Sequence, residues 1–319
     1  MTVTLLHGDC REVLAGLPAE SVQCVVTSPP YFGLRDYGVD GQIGLEQSPQ
    51  EYVDQLVDVF RGVRRVLRSD GTLWLNLGDS YANDSKWGGS SGGKHVTALH
   101  GNSSIGRGKK TTGLKPKDLM LIPARVALAL QADGWWVRSE IIWSKAAPMP
   151  ESVRDRPTCA HEKVWLLTKS ERYFYDADAV REPFADERMG NPGQYQRTSA
   201  KSKGANNDRQ DGGFLNNGSG WDRGAELGGR NLRNVWHLNP EPFVGAHFAT
   251  MPPTLAERCI KAGSRPGDTV LDPFAGAGTT LLVADRLQRH ALGIELNTEY
   301  VEIARRRIAG DAPLFAEVA

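Results

Sequence analysis

The sequence predicts an α/β fold on a mostly parallel sheet. Three observations carry that expectation. Short apolar runs alternate with longer stretches of helical spacing. Two of the apolar runs end abruptly in loops, one rich in proline and one in glycine. The 319 residues, 40 % of them hydrophobic, can bury a sizeable core and suit one large domain or one domain with a substantial insertion.

Taken in order, "VTLLH" (3–7) reads as a strand, and Gly8-Asp9-Cys10 turns into a helix near 11–16. "VQCVV" (22–26) is short and rich in valine, hence a second strand. Thr27-Ser28-Pro29-Pro30 ends it, because proline cannot continue a paired strand. Over 49–67 apolar residues recur at helical spacing (Val53, Leu56, Val57, Phe60, Val63, Leu67), with Pro49 near the start and Asp70-Gly71 beyond the end. "TLWLNL" (72–77) is a buried strand. A helix over 118–132 leads to "WWVRSEIIWS" and later "EKVWLLTK", two further strands. The C-terminal part gives helix 253–263, strand 269–272, helix 279–288, strand 291–295 and helix 298–309. No internal repeat is visible.

Composition narrows the class. The four cysteines (Cys10, Cys24, Cys159, Cys259) form no CxxC pair, which argues against a disulfide framework or a zinc site and for a reducing compartment. Cys159 and His161 alone do not make a metal site, so no metal is expected. The N-terminal "MTVTLLHGDCREVL" lacks the pattern of a signal peptide, and no apolar stretch approaches the roughly 20 residues needed to cross a bilayer. A soluble cytoplasmic protein is expected. Net charge is zero, which argues weakly against a nucleic-acid partner, but the local distribution of charge matters more than the total.

Two segments break the alternation. Residues 82–117 contain "GGSSGG" and then "RGKKTTGLKPK", with five basic residues and no acidic one. Residues 186–231 are rich in Gly, Asn, Ser and Arg, with Tyr195, Phe214 and Trp221 interspersed. Neither can bury enough apolar surface to order alone; both read as solvated loops or as functional loops that order on a partner.

"TVLDPFAGAGTTLLVADRL" (269–287) is a strand ending at Asp272, a turn with Gly276 and Gly278, and a helix opening at Thr279. Such a turn lets backbone approach a ligand, and the helix start offers free N–H groups. The next strand ends at Glu295, where nucleotide-type folds place a carboxylate that binds ribose hydroxyls. The third glycine of a pyrophosphate loop is missing, since Thr279-Thr280-Leu281 follow Gly278. The loop therefore suits an adenosine-bearing ligand without pyrophosphate.

"DPFAGAGTT" is similar to the S-adenosylmethionine loop of DNA amino-methyltransferases, and "TSPPY" resembles their catalytic Ser/Asp/Asn-Pro-Pro-Tyr/Phe motif. Catalytic motif first and cofactor loop last is the order of that family's β class. The resemblance covers nearly the whole chain outside the two irregular segments. It implies a Rossmann-like, seven-stranded sheet of order 3-2-1-4-5-7-6 with strand 7 antiparallel, and S-adenosylmethionine as cofactor. The chain then divides into a catalytic half (1–176), a target-recognition insertion (177–234) and a cofactor-binding half (235–319).

The resemblance also implies roles. An exocyclic base amine is a poor nucleophile, and acceptors placed at its hydrogens stabilise the charge that develops on transfer. Ser28 Oγ and the Pro29 carbonyl are the candidate acceptors, Pro30 stiffens the loop, and Tyr31 offers a face for the base. The base must be flipped out of the duplex to reach them. No cysteine follows a proline, as a cytosine-C5 enzyme would require. Ser-Pro-Pro-Tyr mostly accompanies N4-cytosine methylation in the family, so cytosine N4 is favoured over adenine N6.

Family-matched cofactor residues are Asp9, with Cys10 beside it, then His247, Thr250 and Pro252 of "AHFATMPP", and Asp272, Phe274, Gly276, Gly278, Thr279 and Glu295. Asp9 also reads as an ordinary helix N-cap. Arg107, Lys109 and Lys110 of the basic run, and Arg154 and Arg156 of the loop 145–162, are candidates for gripping phosphates. Double-stranded DNA is the expected partner, with a second copy of the chain and a cognate restriction endonuclease as further candidates. A methyltransferase of RNA or protein amides and a non-enzymatic DNA-binding module are the alternative readings.

Overall fold

The structure is a computed structural model that describes residues 1–82, 113–148, 150–184, 229–240 and 251–311. Arg107, Lys109, Lys110, His247 and Thr250 lie outside these, as does most of both irregular segments. The chain divides into two compact units, 1–175 with 234–319, and 176–233.

Among the described residues the larger unit forms an eight-stranded sheet. Its strands are β1 (Val3–His7), β2 (Val22–Thr27), β3 (Leu67–Leu77), β4 (Trp136–Ser144), β5 (His161–Thr168), β6 (Val235–His237), β7 (Thr269–Asp272) and β8 (His290–Glu295). The spatial order is β1-β8-β7-β2-β3-β5-β4-β6. Only β5 runs antiparallel to its neighbours, β3 and β4. Read from β1 to β4, this is the expected order 3-2-1-4-5-7-6. The count is eight rather than seven, because Val235–His237 adds a short parallel strand to β4 at the sheet edge. Three residues carry no alternation from which a strand could be read, and Trp236, 1 % exposed, anchors it.

Six helices flank the sheet among the described residues: α1 (Cys10–Gly16), α2 (Pro49–Val66), α3 (Ile122–Ala132), α4 (Pro253–Gly263), α5 (Thr279–Arg286) and α6 (Thr298–Asp311). Side-chain alternation in the strands sorts them. Val25, Leu73 and Leu75 join the core with Leu14 of α1, Phe60 of α2 and Val126 of α3. Cys24, Thr72 and Trp74 face the other way, towards Gly263 of α4, and α5 packs beside α4. All six residues of β2 are buried, as expected of a central parallel strand covered on both faces.

Local chemistry sets the helix boundaries. Ser48 caps α2: its hydroxyl accepts from the Glu51 N–H (3.2 Å), while the Glu51 carboxylate accepts from the Ser48 N–H (3.3 Å). Two boundaries differ from the sequence expectation. β3 begins at Leu67 rather than Thr72, absorbing Asp70-Gly71 in a bulge where the β2 register shifts between Val22 and Cys24. α3 begins at Ile122 rather than residue 118. Residues 117–120 spend their backbone groups on 80–82, through Lys117 N–H to Ala82 O (2.7 Å) and Met120 N–H to Ser80 O (2.9 Å), and Pro123 takes the first helical turn.

In the smaller unit, residues 176–184 and 229–233 are described. Glu182 and Arg230 form an antiparallel bridge, and the Glu182 carboxylate accepts from Arg230 (3.3 Å) and Arg233 (2.9 Å). No helix among the described residues is long and apolar enough to cross a membrane.

The packing of α4 makes one prediction. A methyl group on Gly263 would lie 2.4 Å from Thr72 Oγ1 and 2.8 Å from Cys24 Sγ, whereas one on Gly16 would meet nothing within 4 Å. Gly263→Ala is expected to destabilise by about 1–3 kcal/mol in urea unfolding, and Gly16→Ala to cause no loss.

Candidate active site

β2 and β7 are parallel neighbours, paired through Cys24–Val270 and Val25–Leu271. From β7 the chain goes on to β8 on one side, and from β2 to β3 on the other. Such a switch point opens a crevice at the carboxyl ends of the strands. The crevice here is a cavity of about 270 Å³. Ser28, Pro29, Pro30 and Tyr31 after β2 share its wall with Asp272, Phe274, Gly276 and Thr279 after β7. Asp9 and Cys10 after β1 and Glu295 at the end of β8 complete that side. Two distant stretches of sequence thus meet in one cleft.

A buried carboxylate ties the two halves. Asp272, 3 % exposed, accepts from Thr27 Oγ1 at the end of β2 (2.6 Å), from Thr280 Oγ1 in α5 (2.8 Å) and from the Phe274 N–H (3.0 Å). Burial raises its pKa to about 6, against the pull of these hydrogen bonds. Its oxygens are therefore engaged by the protein, although the residue lines the cavity.

The two glycines of the turn divide the labour. Gly276 (φ +51°) donates its N–H to Glu295 (2.8 Å), and a methyl group placed on it would find nothing nearer than the Phe274 carbonyl at 4.0 Å. The space over it is open to a ligand. Gly278 (φ +74°) is absent from the cavity wall; a methyl group there would meet Ala304 of α6 at 3.0 Å, so its role in this geometry is helix packing. The second Glu295 oxygen accepts from the Asn297 N–H (2.8 Å), and burial raises this carboxyl's pKa.

Asp9 is the N-cap of α1, its carboxylate accepting from the Arg11 N–H (2.8 Å) and paired with the Arg11 guanidinium, which lowers its pKa. Both readings of Asp9 meet here, since it also lines the cavity. Burial pushes the Cys10 thiol up to about 12, so it stays neutral. Pro252 caps α4 away from the cavity, and its neighbour Met251 reaches the wall instead. Arg154 and Arg156 do not line the cavity either. Arg156 pairs with Glu151 (2.7 Å) and lies over the Tyr81 ring (3.9 Å), while Arg154 is exposed.

A cofactor with an adenosine head fits this wall. Tyr37 and Tyr300 meet edge-on (ring centroids 6.0 Å apart) and, with Leu34, Val39 and Ile43, give an apolar side beside the open face of Gly276 and the Glu295 carboxylate. None of these five apolar residues is marked by a sequence motif. No group of three or more His, Cys, Asp or Glu that could hold a metal ion occurs among the described residues.

The Ser-Pro-Pro-Tyr loop is held rigidly. Tyr52 donates its hydroxyl proton to the Pro30 carbonyl (2.8 Å), and Phe32, 1 % exposed, packs on Tyr52. Gly78 flanks the Tyr31 ring so closely that a methyl group would lie 2.5 Å from its Cε2. Tyr31 Oη donates to Glu162 (2.6 Å) and accepts from Ser28 Oγ (3.3 Å) and Asn76 Nδ2 (2.9 Å). Lys145 pairs with the other Glu162 oxygen and stacks 4.6 Å from the Trp143 ring. Asn76, Trp143, Lys145 and Glu162 all line the cavity, and sequence reasoning missed them. One signal could have found Glu162: an antiparallel strand delivers its first residues, not its last, to the carboxyl edge.

Comparison with known proteins places this geometry. The N6/N4 family model described as DNA methylase matches residues 22–306. The chain is a member of the DNA methylase family. This methylase is 44 % identical to the type II methyltransferase M.SmaI of Serratia marcescens over 304 residues, covering 95 % of the chain and 90 % of the relative. It is 45 % identical to the type II methyltransferase M.Cfr9I of Citrobacter freundii over 308 residues, covering 97 % and 88 %. Among solved structures, it matches a putative DNA modification methylase from Thermus thermophilus, complexed with S-adenosyl-L-methionine. The TM-score is 0.58 at 27 % identity, with 100 % of both chains covered. The methylase is therefore an enzyme of the class that acts on cytosine N4 or adenine N6 of DNA.

The buried carboxyl generates a pH prediction. With its folded pKa at about 6, above the unfolded value, Asp272 contributes most to stability below about pH 4, and that contribution is lost as pH rises through 6. Relative to Asp272→Asn, the natural protein is expected to lose stability between about pH 3 and 7, most steeply between about 4 and 6, by an amount on the order of 3 kcal/mol. Parallel unfolding-versus-pH curves for the two proteins would contradict this.

Proposed function

We propose that this DNA methylase transfers a methyl group from S-adenosylmethionine to the N4 amine of a cytosine flipped out of duplex DNA. One observation carries the reading: Ser28 lies on the same cavity wall as the open face of Gly276, with its hydroxyl proton directed inward at Tyr31. A hydroxyl so directed, with Asn76 Nδ2 facing it at 3.4 Å, keeps one lone pair for the cleft, and this accepts one N–H of an amine. The Pro29 carbonyl, which accepts no hydrogen bond among the described residues, is the second acceptor. The serine, where the adenine-directed pattern has Asp or Asn, favours cytosine.

The cofactor, when bound, supplies an electrophilic sulfonium methyl group. Gly276, Glu295, Tyr37 and Tyr300 would hold its adenosine end. The chain's own part in the chemistry is to orient the amine and exclude water. Two acceptors at its hydrogens draw the nitrogen out of conjugation with the ring and stabilise the positive charge that grows there. An amine inside a duplex cannot reach a recess of this kind, so the base is extruded at a cost of a few kcal/mol.

The unit 176–233 is assigned to target recognition, and Arg107, Lys109, Lys110, Arg154 and Arg156 to phosphate contacts. By analogy with the type II relatives, a restriction endonuclease sharing its recognition sequence is the proposed companion in the cytoplasm.

The test combines chemistry and mutation. Incubation with labelled cofactor and mixed-sequence duplex DNA, followed by mass spectrometry of the nucleosides, is expected to yield N4-methylcytosine. N6-methyladenine would move the assignment to adenine. Ser28→Ala is expected to lower kcat by about 10²–10³-fold while cofactor affinity stays within about three-fold.

A further inference from the structure

We propose that Glu162 is a positioning residue that fixes the direction in which the Ser28 hydroxyl donates. The inference rests on the reading of Ser28 as an acceptor for the base amine. A serine hydroxyl is both donor and acceptor, and its proton turns to suit its surroundings. If that proton pointed into the cleft it would face the amine hydrogens and oppose binding. The proton must be held elsewhere.

The polar web behind the loop does this by proton accounting. Tyr31 has one hydroxyl proton, and the Glu162 carboxylate, acceptor-only, takes it at 2.6 Å. Asn76 Nδ2 carries only donor hydrogens, and it faces Tyr31 Oη (2.9 Å), the same Glu162 oxygen (3.1 Å) and, at the longest range, Ser28 Oγ (3.4 Å). Tyr31 Oη then has no proton to give Ser28 and one lone pair left to offer it. Ser28 must donate, at 3.3 Å; one of its lone pairs faces the Asn76 Nδ2 donor (3.4 Å) and the other remains for the cleft. Burial keeps the Tyr31 phenol protonated, so the direction does not reverse at working pH. Lys145 supplies the counter-charge for the carboxylate on its far oxygen.

Position supports this. β5 is the one reversed strand, and Glu162, its second residue, pairs with Trp143 near the end of β4. That brings a carboxylate to the cleft edge from a strand whose last residues lie at the opposite edge. Without Glu162 the Tyr31 proton is free to point at Ser28, which would then donate outward.

The test compares Glu162→Gln with Glu162→Leu in the full-length enzyme. Both remove the charge and leave Lys145 without its partner, and the two side chains are similar in size. Only glutamine keeps an oxygen to accept the Tyr31 proton. In single-turnover methyl transfer, E162Q is expected to run at least about 30-fold faster than E162L, with cofactor and DNA dissociation constants alike. In a Tyr31→Phe background, where the phenol proton is gone, the two are expected to agree within about three-fold. Equal rates for E162Q and E162L with Tyr31 present would overturn the proposal, as would an equal gap in both backgrounds. If E162L does not fold, judged by cofactor binding, E162M replaces it under the same criteria. The reading of Ser28 itself fails separately, through an unimpaired Ser28→Ala enzyme.

Discussion

The site depends on a single buried carboxylate. Asp272 closes β7 and accepts from Thr27 at the end of β2 and from Thr280 in α5, so strand ends 245 residues apart in sequence are held together by short hydrogen bonds. Main-chain pairing between these strands is brief, covering Cys24–Val270 and Val25–Leu271 only. The side-chain link carries the contact outward to the point where the ladder has stopped and the crevice begins. Charge in that dry location is costly, which is why the carboxyl's affinity for a proton rises and why it requires three donors. A hydrophobic contact could hold the strands together, but it would not fix the direction of the Phe274 N–H and the turn that follows.

A second polar web, around Tyr31, works under the same constraint. Its members are buried or half-buried and lie within hydrogen-bond reach of one another, so each proton has few partners to choose between. Ser28, Tyr31, Asn76 and Glu162 come from the loop after β2, from β3 and from β5, and the sheet register sets their spacing. The Asn76 Oδ1 atom is buried with no hydrogen-bond partner among the described residues.

Much of this is legible in sequence, for physical reasons that differ between elements. β2 can be read because a strand buried on both faces is a plain apolar run, and the proline pair announces its end. The glycine turn can be read because a close approach at positive φ leaves few alternatives to glycine. The seven-strand order is legible through resemblance, since periodicity cannot rank strands across a sheet. The start of α3 is misplaced by sequence because residues 117–120 are recruited by 80–82, a tertiary contact that propensity does not encode. Gly278 looks like its neighbour Gly276 until Ala304 is seen behind it. Asn76, Lys145 and Glu162 belong to no recognisable motif; only the reversed strand explains why they are neighbours.

The reversed strand β5 has one further bearing on how this molecule can vary. In a purely parallel sheet each strand feeds the crevice once, through the loop that follows it. Here β4 and β5 form a hairpin, so the residues at both stems, Trp143 and Lys145 on one and Glu162 on the other, arrive together. The tip between them can lengthen or be exchanged without disturbing what the stems present. The stems themselves have no such latitude. Loss of a single residue from β5 would slip its frame by one, turning Glu162 and every alternate side chain to the opposite face of the sheet.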